Sequence, residues 1–316
     1  MEHLDDKRSP GTANMVIQAQ MFLLMSILAT ALALCQVAQN TDVFAKGNLF
    51  AWNFIAFGSM HRTPLEQVQM LKGLGIRRMG IEWGGVHVQS FDQEIAAMRE
   101  NQIAIEGFWV RGNMYPERNK PAAADGDVDL VLATLKRNKL STQIWDPFDA
   151  DQEFLSLSEP ERTKRAVEAV RYVARGAAKI HCSVAIYSHG GWMGEPENEL
   201  EVVRQVGMTN VGIVYDYEHA RPQMNRFPEF FPKLVPHLWA VILNGMQDGG
   251  PPVITVGDGD RDLDMLRVIY KSGYHGPIGL INHDQKRDAE IGLRLNMEGL
   301  KKLLVQLDDQ AALRTY

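Results

Sequence analysis

The sequence predicts an α/β fold, a (β/α)8 TIM barrel, on three grounds. Short apolar runs alternate with longer amphipathic stretches from Leu49 onward, as they do in repeated βα units. Eight such runs occur, which is the strand number of this barrel. Runs such as VAIY, VGIVY and PIGLI are apolar at nearly every position, a pattern typical of parallel strands covered on both faces. These features favour a closed barrel over an open doubly wound sheet.

The predicted elements follow one another in regular order. Strands are expected at residues 49–55, 78–83, 104–110, 142–148, 183–189, 211–217, 238–245 and 277–283. Helices are expected at residues 64–73, 91–101, 129–139, 159–178, 197–206, 227–234, 262–272 and 288–307. In the first helix Thr63 is a suitable N-cap before a proline, and we expect a buried face formed by Leu65, Val68, Met70 and Leu71.

Charge and cysteine content exclude two classes of protein. Lys and Arg number 33 against 39 Asp and Glu, which gives a net charge of −6, and no basic run stands out. A protein that binds a nucleic-acid backbone would normally be more basic, so no nucleic-acid partner is expected. Only Cys35 and Cys182 are present, so there is no disulfide framework.

The N-terminal segment is predicted to direct export. Residues 21–34 are apolar, follow Lys7 and Arg8, and are fewer than the roughly 20 that span a bilayer. We interpret them as a signal-peptide core with cleavage near Ala33 or Cys35; translation from Met15, an uncleaved anchor, or lipidation of the cysteine are the alternatives. Residues 1–38 would then be a targeting segment and linker, and 39–316 the barrel domain of a periplasmic or membrane-tethered protein.

Polar residues follow most of the predicted strands, where active sites of this fold form. The positions are Asn53, His61, Glu82, Glu106, Arg111, Asp146, Asp149, His189, Asp216, Glu218, His219, Asn244, Asn282 and His283. Tryptophans lie at several of the same ends, and aromatic rings beside carboxylates and imidazoles suit a sugar. A tryptophan at a strand end is equally a core or lid residue. Three imidazoles and a carboxylate, His189, Asp216, His219 and His283, are harder to explain by packing alone.

Four segments carry a resemblance to a known superfamily. They are TPLEQVQMLKGLGIRRMGIEW, SVAIYSHGGW, NVGIVYDYEHA, and GYHGPIGLINH with the NMEGLKKLL that follows it. Over residues 48–304 the chain resembles the xylose isomerase-like barrels, which include sugar phosphate isomerases and epimerases and endonuclease IV. The Asp-x-x-His of Asp216 and His219 is the most specific match.

The resemblance implies a divalent metal held by two glutamates, an aspartate and a histidine, with the glutamates also moving protons. Tyr187 stands at the first glutamate position, and Asn244 lies where the seventh strand should provide acidic and imidazole groups. The second glutamate falls on Leu280 or Ile281, so of the ligands only Asp216 is clearly retained. We therefore predict that the usual metal centre is lost. Another divalent metal, held by Asp216 and His219 with further imidazoles, stays open.

These observations lead to one hypothesis and one alternative. The hypothesis is an exported protein that acts on a small-molecule carbohydrate. It would use His/Asp acid–base chemistry, as an isomerase, epimerase or lyase does. His189, Asp216, His219 and His283 are the catalytic candidates, and the substrate-binding candidates are Glu82, Trp109, Tyr187, Trp192, Asn244 and Asn282. The alternative is a non-catalytic carbohydrate-binding or scaffolding barrel.

A DNA-repair endonuclease is opposed by the acidic net charge. The loop 113–128 is either a lid or an insertion.

Overall fold

Eight parallel strands close into a barrel in the part of the chain that the structure describes. The computed structural model describes residues 42–52, 60–83, 90–119, 127–281, 283–284 and 286–316. The strands are β1 (Leu49–Trp52), β2 (Arg78–Glu82), β3 (Ala104–Trp109), β4 (Gln143–Asp146), β5 (Ser183–Tyr187), β6 (Val211–Asp216), β7 (Leu238–Leu243) and β8 (Ile278–Ile281). Each pairs with its neighbour in sequence, and β8 pairs with β1. The predicted (β/α)8 barrel is confirmed.

Strands β2 to β8 end one or two residues before the predicted ends. For example, β5 ends at Tyr187 rather than at residue 189, and β8 ends at Ile281 rather than at residue 283. The hydrogen-bonded ladder stops where the chain turns over the end of the barrel, whereas the sequence pattern included the first polar residue beyond it. His189 and His283 therefore belong to the loops that follow the strands, which we call the rim.

Helices cover the outside of the barrel. They are α1 (Pro64–Leu74), α2 (Phe91–Glu100), α3 (Asp127–Arg137), α4 (Gln152–Leu155), α5 (Glu159–Ala178), α6 (Pro196–Val206), α7 (Phe227–Leu234), α8 (Asp262–Lys271), α9 (Ala289–Leu307) and α10 (Gln310–Leu313). All eight predicted helices are confirmed, with ends that differ by two residues at most, whereas α4 and α10 were not predicted. None of the helices in the described ranges is long and apolar enough to cross a bilayer.

The start of α1 confirms one prediction and corrects another. Thr63 accepts a hydrogen bond from the Glu66 N–H, and the Glu66 side chain accepts one from the Thr63 N–H, which completes a capping box. Val68 and Leu71 are buried as expected, but Leu65 is 56% exposed, so the prediction that it faces the core was wrong. Gln67 is the buried residue of this turn, and its amide donates to the Arg62 carbonyl.

Aromatic side chains fill the inside of the barrel. Trp52, Trp145 and Tyr187 pack together there, with Trp52 and Trp145 at most 1% exposed. Small residues on neighbouring strands make room for them, since a Cβ atom at Gly107 would lie 2.0 Å from the indole of Trp145. For these two tryptophans the core reading was the correct one. A layer of large rings therefore forms the floor beneath the rim.

Some predictions fall outside the described residues. They concern the export segment 1–38 with Cys35, the substrate-binding candidate Asn282, the strand-end residue Asn53, and the part of the proposed lid at 120–126.

Candidate functional site

A buried carboxylate at the end of β4 shapes two rim loops. Asp146 is fully buried, and its Oδ1 accepts hydrogen bonds from the backbone N–H groups of Gly112 (3.0 Å) and Phe148 (2.9 Å). Phe148 adopts a positive φ of 47°, which turns the chain sharply toward Asp149. Gly112 has no room for a side chain, because a Cβ there would meet Asp146 Oδ2 at 2.0 Å. Burial raises the pKa of Asp146 to about 7, and the two N–H donors partly oppose that rise.

Asp149 holds the imidazole of His189 from one side. Its Oδ1 lies 3.0 Å from His189 Nδ1, and its Oδ2 lies 2.9 Å from Nε of Arg111 in the loop after β3. Burial alone would raise the pKa of Asp149, but the hydrogen bond to His189 and the charges of His189 and Arg111 bring it below the ordinary value. With Nδ1 directed at a carboxylate, His189 has Nε2 on the opposite side of its ring.

Asp216 places the next two site residues by bending the chain. It is the last residue of β6, and its Oδ1 accepts the Glu218 N–H at 3.0 Å, which starts the 3₁₀ turn Tyr217–His219. The turn brings His219 Nε2 to 4.0 Å from Asp216 Oδ2 and to 3.9 Å from Glu218 Oε2. It also stacks His219 obliquely against His189, with 4.2 Å between the ring centroids. The Asp-x-x-His spacing thus forms one compact turn.

Glu218 holds a second imidazole. Its Oε1 lies 2.8 Å from Nδ1 of His283, the residue that follows β8 by two positions. Glu82, at the end of β2, is close enough for its charge to favour the protonated form of His283. Asp149, His189, His219, Glu218 and His283 therefore form a connected series across the rim, which we call the histidine arc.

Two histidines of this arc, His219 in its middle and His283 at its end, differ electrostatically. Burial, and then the neighbouring His189, lower the pKa of His219 to about 4, so its ring is neutral at physiological pH. Burial also disfavours the charged form of His283, but its hydrogen bond to Glu218 and the charges of Glu218 and Asp216 outweigh burial and raise its pKa. Adjacent imidazoles are thus biased toward opposite protonation states.

Tyr187 and Asp216 close the site from below. The Tyr187 hydroxyl donates to Asp216 Oδ2 at 2.5 Å and accepts a hydrogen bond from Trp52 Nε1 at 2.9 Å. Burial and then the charge of Glu218 raise the pKa of Asp216 to about 7, and burial with the charge of Asp216 raises that of Tyr187 well above 10. The one aspartate that matches the superfamily's ligands is therefore fully buried and hydrogen-bonded to a phenol.

Comparison with protein-family models gives no match, and neither does comparison with curated proteins. Solved structures do match. The crystal structure of the IolI protein with a bound zinc atom superposes with a TM-score of 0.64 at 13% identity, covering 82% of this chain and 98% of that one. The 3-keto-D-glucoside 4-epimerase YcjR from E. coli gives 0.62 at 16% identity, covering 82% and 100%. A xylose isomerase-like TIM barrel fused to a 4-hydroxyphenylpyruvate dioxygenase gives 0.63 at 16% identity, covering 85% and 45%.

The fold is that of the xylose isomerase-like barrels. In this barrel the four catalytic candidates, His189, Asp216, His219 and His283, come together at the rim, as the sequence analysis predicted. Their chemical roles remain predictions. The sequence does not single out Asp149 and Glu218 as site residues, although both follow strand ends. These two carboxylates differ from others at strand ends because they contact the histidines in the folded chain. The sequence does not reveal those contacts.

The substrate-binding candidates are distributed unevenly. The Trp109 ring lies 6.1 Å from that of His189 and carries the Arg111 guanidinium at 5.6 Å, so it borders the arc. Trp192 instead packs edge-on against Phe154, and its indole N–H donates to Glu159 at the start of α5.

Asn244 is buried in the loop that follows β7. Its amide donates to the carbonyls of Gly245 (2.8 Å) and Pro252 (3.1 Å). Its donor is thus occupied in shaping this loop, and only Oδ1, which has no hydrogen-bond partner among the described residues, is left to accept one.

One group of described residues has the spacing of a cation site. Donor atoms of Asp216, Glu218 and His219 lie within 4.8 Å of one another. All three come from β6 and its 3₁₀ turn, so this group differs from a centre assembled from four strands.

Proposed function

We propose that this barrel transfers protons on a small carbohydrate by means of imidazoles that carboxylates orient, in the manner of an isomerase, epimerase or lyase. The observation that supports this is the histidine arc, in which His189 and His283 each direct Nδ1 at a carboxylate, 3.0 Å from Asp149 and 2.8 Å from Glu218. In a neutral ring, a carboxylate on Nδ1 fixes the tautomer whose Nε2 can accept a proton. In a protonated ring, which the raised pKa of His283 favours, Nε2 can donate one.

The arc supplies what epimerisation or isomerisation of a sugar needs. An imidazole Nε2 removes a proton from the carbon beside a carbonyl group, and the same or a second imidazole returns a proton to that carbon or its neighbour. The C–H bond broken is replaced by an N–H bond and then re-formed, so no oxidant is required. His219, between the two oriented rings, is within reach of a hydroxyl or carbonyl oxygen held there.

We further propose that the superfamily's two-glutamate metal centre is absent. Its donor set does not fit these residues, since a phenol stands at the first glutamate position and donates to Asp216. Leu280 and Ile281, at the second glutamate position, are buried hydrocarbon, and the Asn244 amide donor is occupied within its loop. A hard cation requires several anionic oxygens to offset its dehydration.

The proposal of a carbohydrate has two supports. One structural neighbour, YcjR, is a 3-keto-D-glucoside 4-epimerase. In this chain, Trp109 beside His189 offers an aromatic face for the C–H groups of a sugar, and Arg111 offers N–H donors next to it.

Proton exchange tests the proposal. Ketoses and aldoses, and glycosides oxidised at one hydroxyl, are incubated with the protein in D₂O, and deuterium incorporation is followed by NMR. We expect exchange on at least one sugar, and a fall of about 10²–10⁴-fold for His189→Asn. The control is His181→Asn, at an exposed position preceding β5. Exchange that is equal in His189→Asn and the wild type would contradict the assignment.

The alternative is a binding barrel without turnover, which the buried, phenol-bonded Asp216 would suit. It predicts sugar-induced thermal stabilisation without any deuterium exchange.

Export is a separate proposal that depends on residues 21–34. Fractionation of cells that express the full chain should place it in the periplasm or membrane, and N-terminal sequencing of the mature chain should locate a cleavage near Cys35. A chain with intact Met1 in the cytoplasmic fraction would contradict it.

A further inference from the structure

Two cavities flank the loop that follows β7, one on each side. The larger, about 620 Å³, lies on the β6 side and is lined by Glu218, His219, Pro222, Met224 and Pro252 among others. The smaller, about 420 Å³, lies on the β8 side. Both fall within the roughly 300–1,000 Å³ of small-molecule sites. Each is thus large enough for one small ligand unit.

The histidine arc connects the two cavities. Glu218 lines the larger cavity, His283 lines the smaller one, and the two side chains are joined by the 2.8 Å contact between Oε1 and Nδ1. Both remain partly accessible, at 15% and 23% side-chain exposure. Pro252 and Val253, adjacent in the chain, face the larger and the smaller cavity respectively. A ligand that spans both cavities would therefore cross directly over the proton-transfer groups.

The loop that follows β7 separates the two cavities, and hydrogen bonds hold it in place. Asp262, 1% exposed, accepts backbone N–H groups from Met246 (2.5 Å), Gly257 (2.6 Å) and Gly259 (3.1 Å), which fixes both ends of the loop. The Arg221 guanidinium donates to the Gly250 carbonyl near its middle. A preformed partition does not need to be ordered when a ligand binds, so both cavities are available as they stand.

The linings of the cavities differ in chemistry. Pro222, Met224 and Pro252 give the larger cavity apolar surfaces beside Glu218 and His219, which suits a sugar ring presented to an acid–base group. The smaller cavity presents Thr255, Asp258, Asp284, Arg287 and Asn296. The carboxylates of Asp258 and Asp284 offset the guanidinium of Arg287 and the imidazole of His283, which leaves no excess positive charge for a phosphate. Hydroxyl groups can both donate to the carboxylates and accept from the arginine.

We propose that the ligand is a glycoside of two sugar units, with the reacting ring in the larger cavity and the second ring in the smaller one. The bridging oxygen lies over the Glu218–His283 pair. This inference rests on the proposed function and specifies its substrate class.

The experiment compares binding of single and paired sugars. Glucose and galactose are titrated calorimetrically against the full chain, in parallel with maltose, cellobiose, lactose and trehalose. We expect at least one disaccharide to bind about tenfold or more tightly than its component hexoses. Equal affinities would overturn the two-unit ligand while leaving proton transfer on a monosaccharide intact. Binding of none of these sugars, combined with no deuterium exchange on any sugar, would reject the proposed function as well.

Variants then assign the second unit to its cavity. Thr255→Phe fills the smaller cavity and Arg287→Ala removes its guanidinium. Both should lower the ratio of disaccharide affinity to hexose affinity toward one. Thr209→Phe, an exposed position preceding β6 at the opposite end of the barrel, is the matched control. Loss of disaccharide and hexose affinity in the same proportion in Arg287→Ala would refute the assignment, whether or not Thr255→Phe folds.

Discussion

At the scale of single residues, the site is organised by carboxylates that orient imidazole rings and backbone turns. Asp146 fixes the turn that delivers Asp149, Asp149 orients His189, and Asp216 bends the chain that delivers Glu218 and His219. Each carboxylate satisfies backbone or imidazole N–H groups that would otherwise lack partners at the rim. The reactive groups therefore depend on residues that do not themselves need to touch a sugar.

Asp149 is expected to be a positioning residue. Asp149→Asn removes the anionic acceptor from His189 Nδ1 and allows the wrong tautomer, so turnover should fall by about 10²-fold with little change in KM. Deuterium exchange at varied pH measures this, and the pH profile should shift because the imidazole has lost its charged partner. Asp151→Asn, in the exposed cap of α4, is the control. An unchanged pH profile would show that Asp149 only supports the loop.

At the scale of elements, buried side chains outside the reacting groups hold the strands, helices and rim loops in place. Ser188, between Tyr187 and the first histidine of the arc, donates to Glu199 of α6 at 2.6 Å, which ties the β5 loop to the helix behind it. Inside the barrel, Gly107 of β3 leaves space for the Trp145 ring of β4. These contacts fix the height and angle at which the rim loops leave the barrel.

Glu199 should make stability depend on pH. Burial raises its pKa from 4.5 to about 8, so the folded chain keeps a proton that the unfolded chain loses above pH 4.5. Stability should therefore fall as pH rises from about 4.5 to 8, by on the order of 1.4 kcal/mol per unit of pKa shift in total. Glu199→Gln should flatten this slope and raise the melting temperature at pH 8 relative to wild type. Glu197→Gln, exposed on the same helix, should leave the slope as it is.

Gly107 should not tolerate a side chain. Gly107→Ala places a methyl group 2.0 Å from the Trp145 indole, and we expect it to lower the free energy of unfolding by about 1–3 kcal/mol. Gly73→Ala is a control with the opposite sign, because nothing lies within 4 Å of its Cβ and alanine favours a helix by roughly 0.5–1 kcal/mol. Chemical denaturation compares them. An unchanged free energy of unfolding in Gly107→Ala would mean that the Trp145 ring can move to accommodate the methyl group.

At the scale of the whole molecule, the barrel brings the ends of its eight strands into one rim, and the loops after β4, β5, β6 and β8 supply an arc of imidazoles and carboxylates. The fold is shared with proteins that include a zinc-bound structure and a sugar epimerase, at 13% and 16% identity. A shared barrel does not by itself determine the chemistry at the strand ends.

Chelation tests the proposed loss of the metal centre. If Tyr187 and hydrocarbon side chains stand where the resemblance implies glutamates, as proposed, EDTA should change neither the melting temperature nor deuterium exchange. The purified protein should then contain no stoichiometric divalent metal by elemental analysis. Stoichiometric metal, with a melting temperature that falls on chelation, would instead assign it to Asp216, Glu218 and His219.

The fold followed from local pattern because apolar runs and amphipathic helices report burial residue by residue. This local pattern was enough to predict the number of strands and the positions of the helices. It also predicted that His189 and His283 lie at strand ends. The pairing of Asp149 with His189 and of Glu218 with His283 was not predicted, since the partners are 40 and 65 residues apart and their contact depends on how the rim loops turn. Tertiary structure also decided that Trp145 fills the core and that Trp109 borders the site. Both rings belong to the cluster inside the barrel, and only the closed structure shows that the Trp109 ring lies beside His189 whereas the Trp145 ring packs against Trp52 and Tyr187.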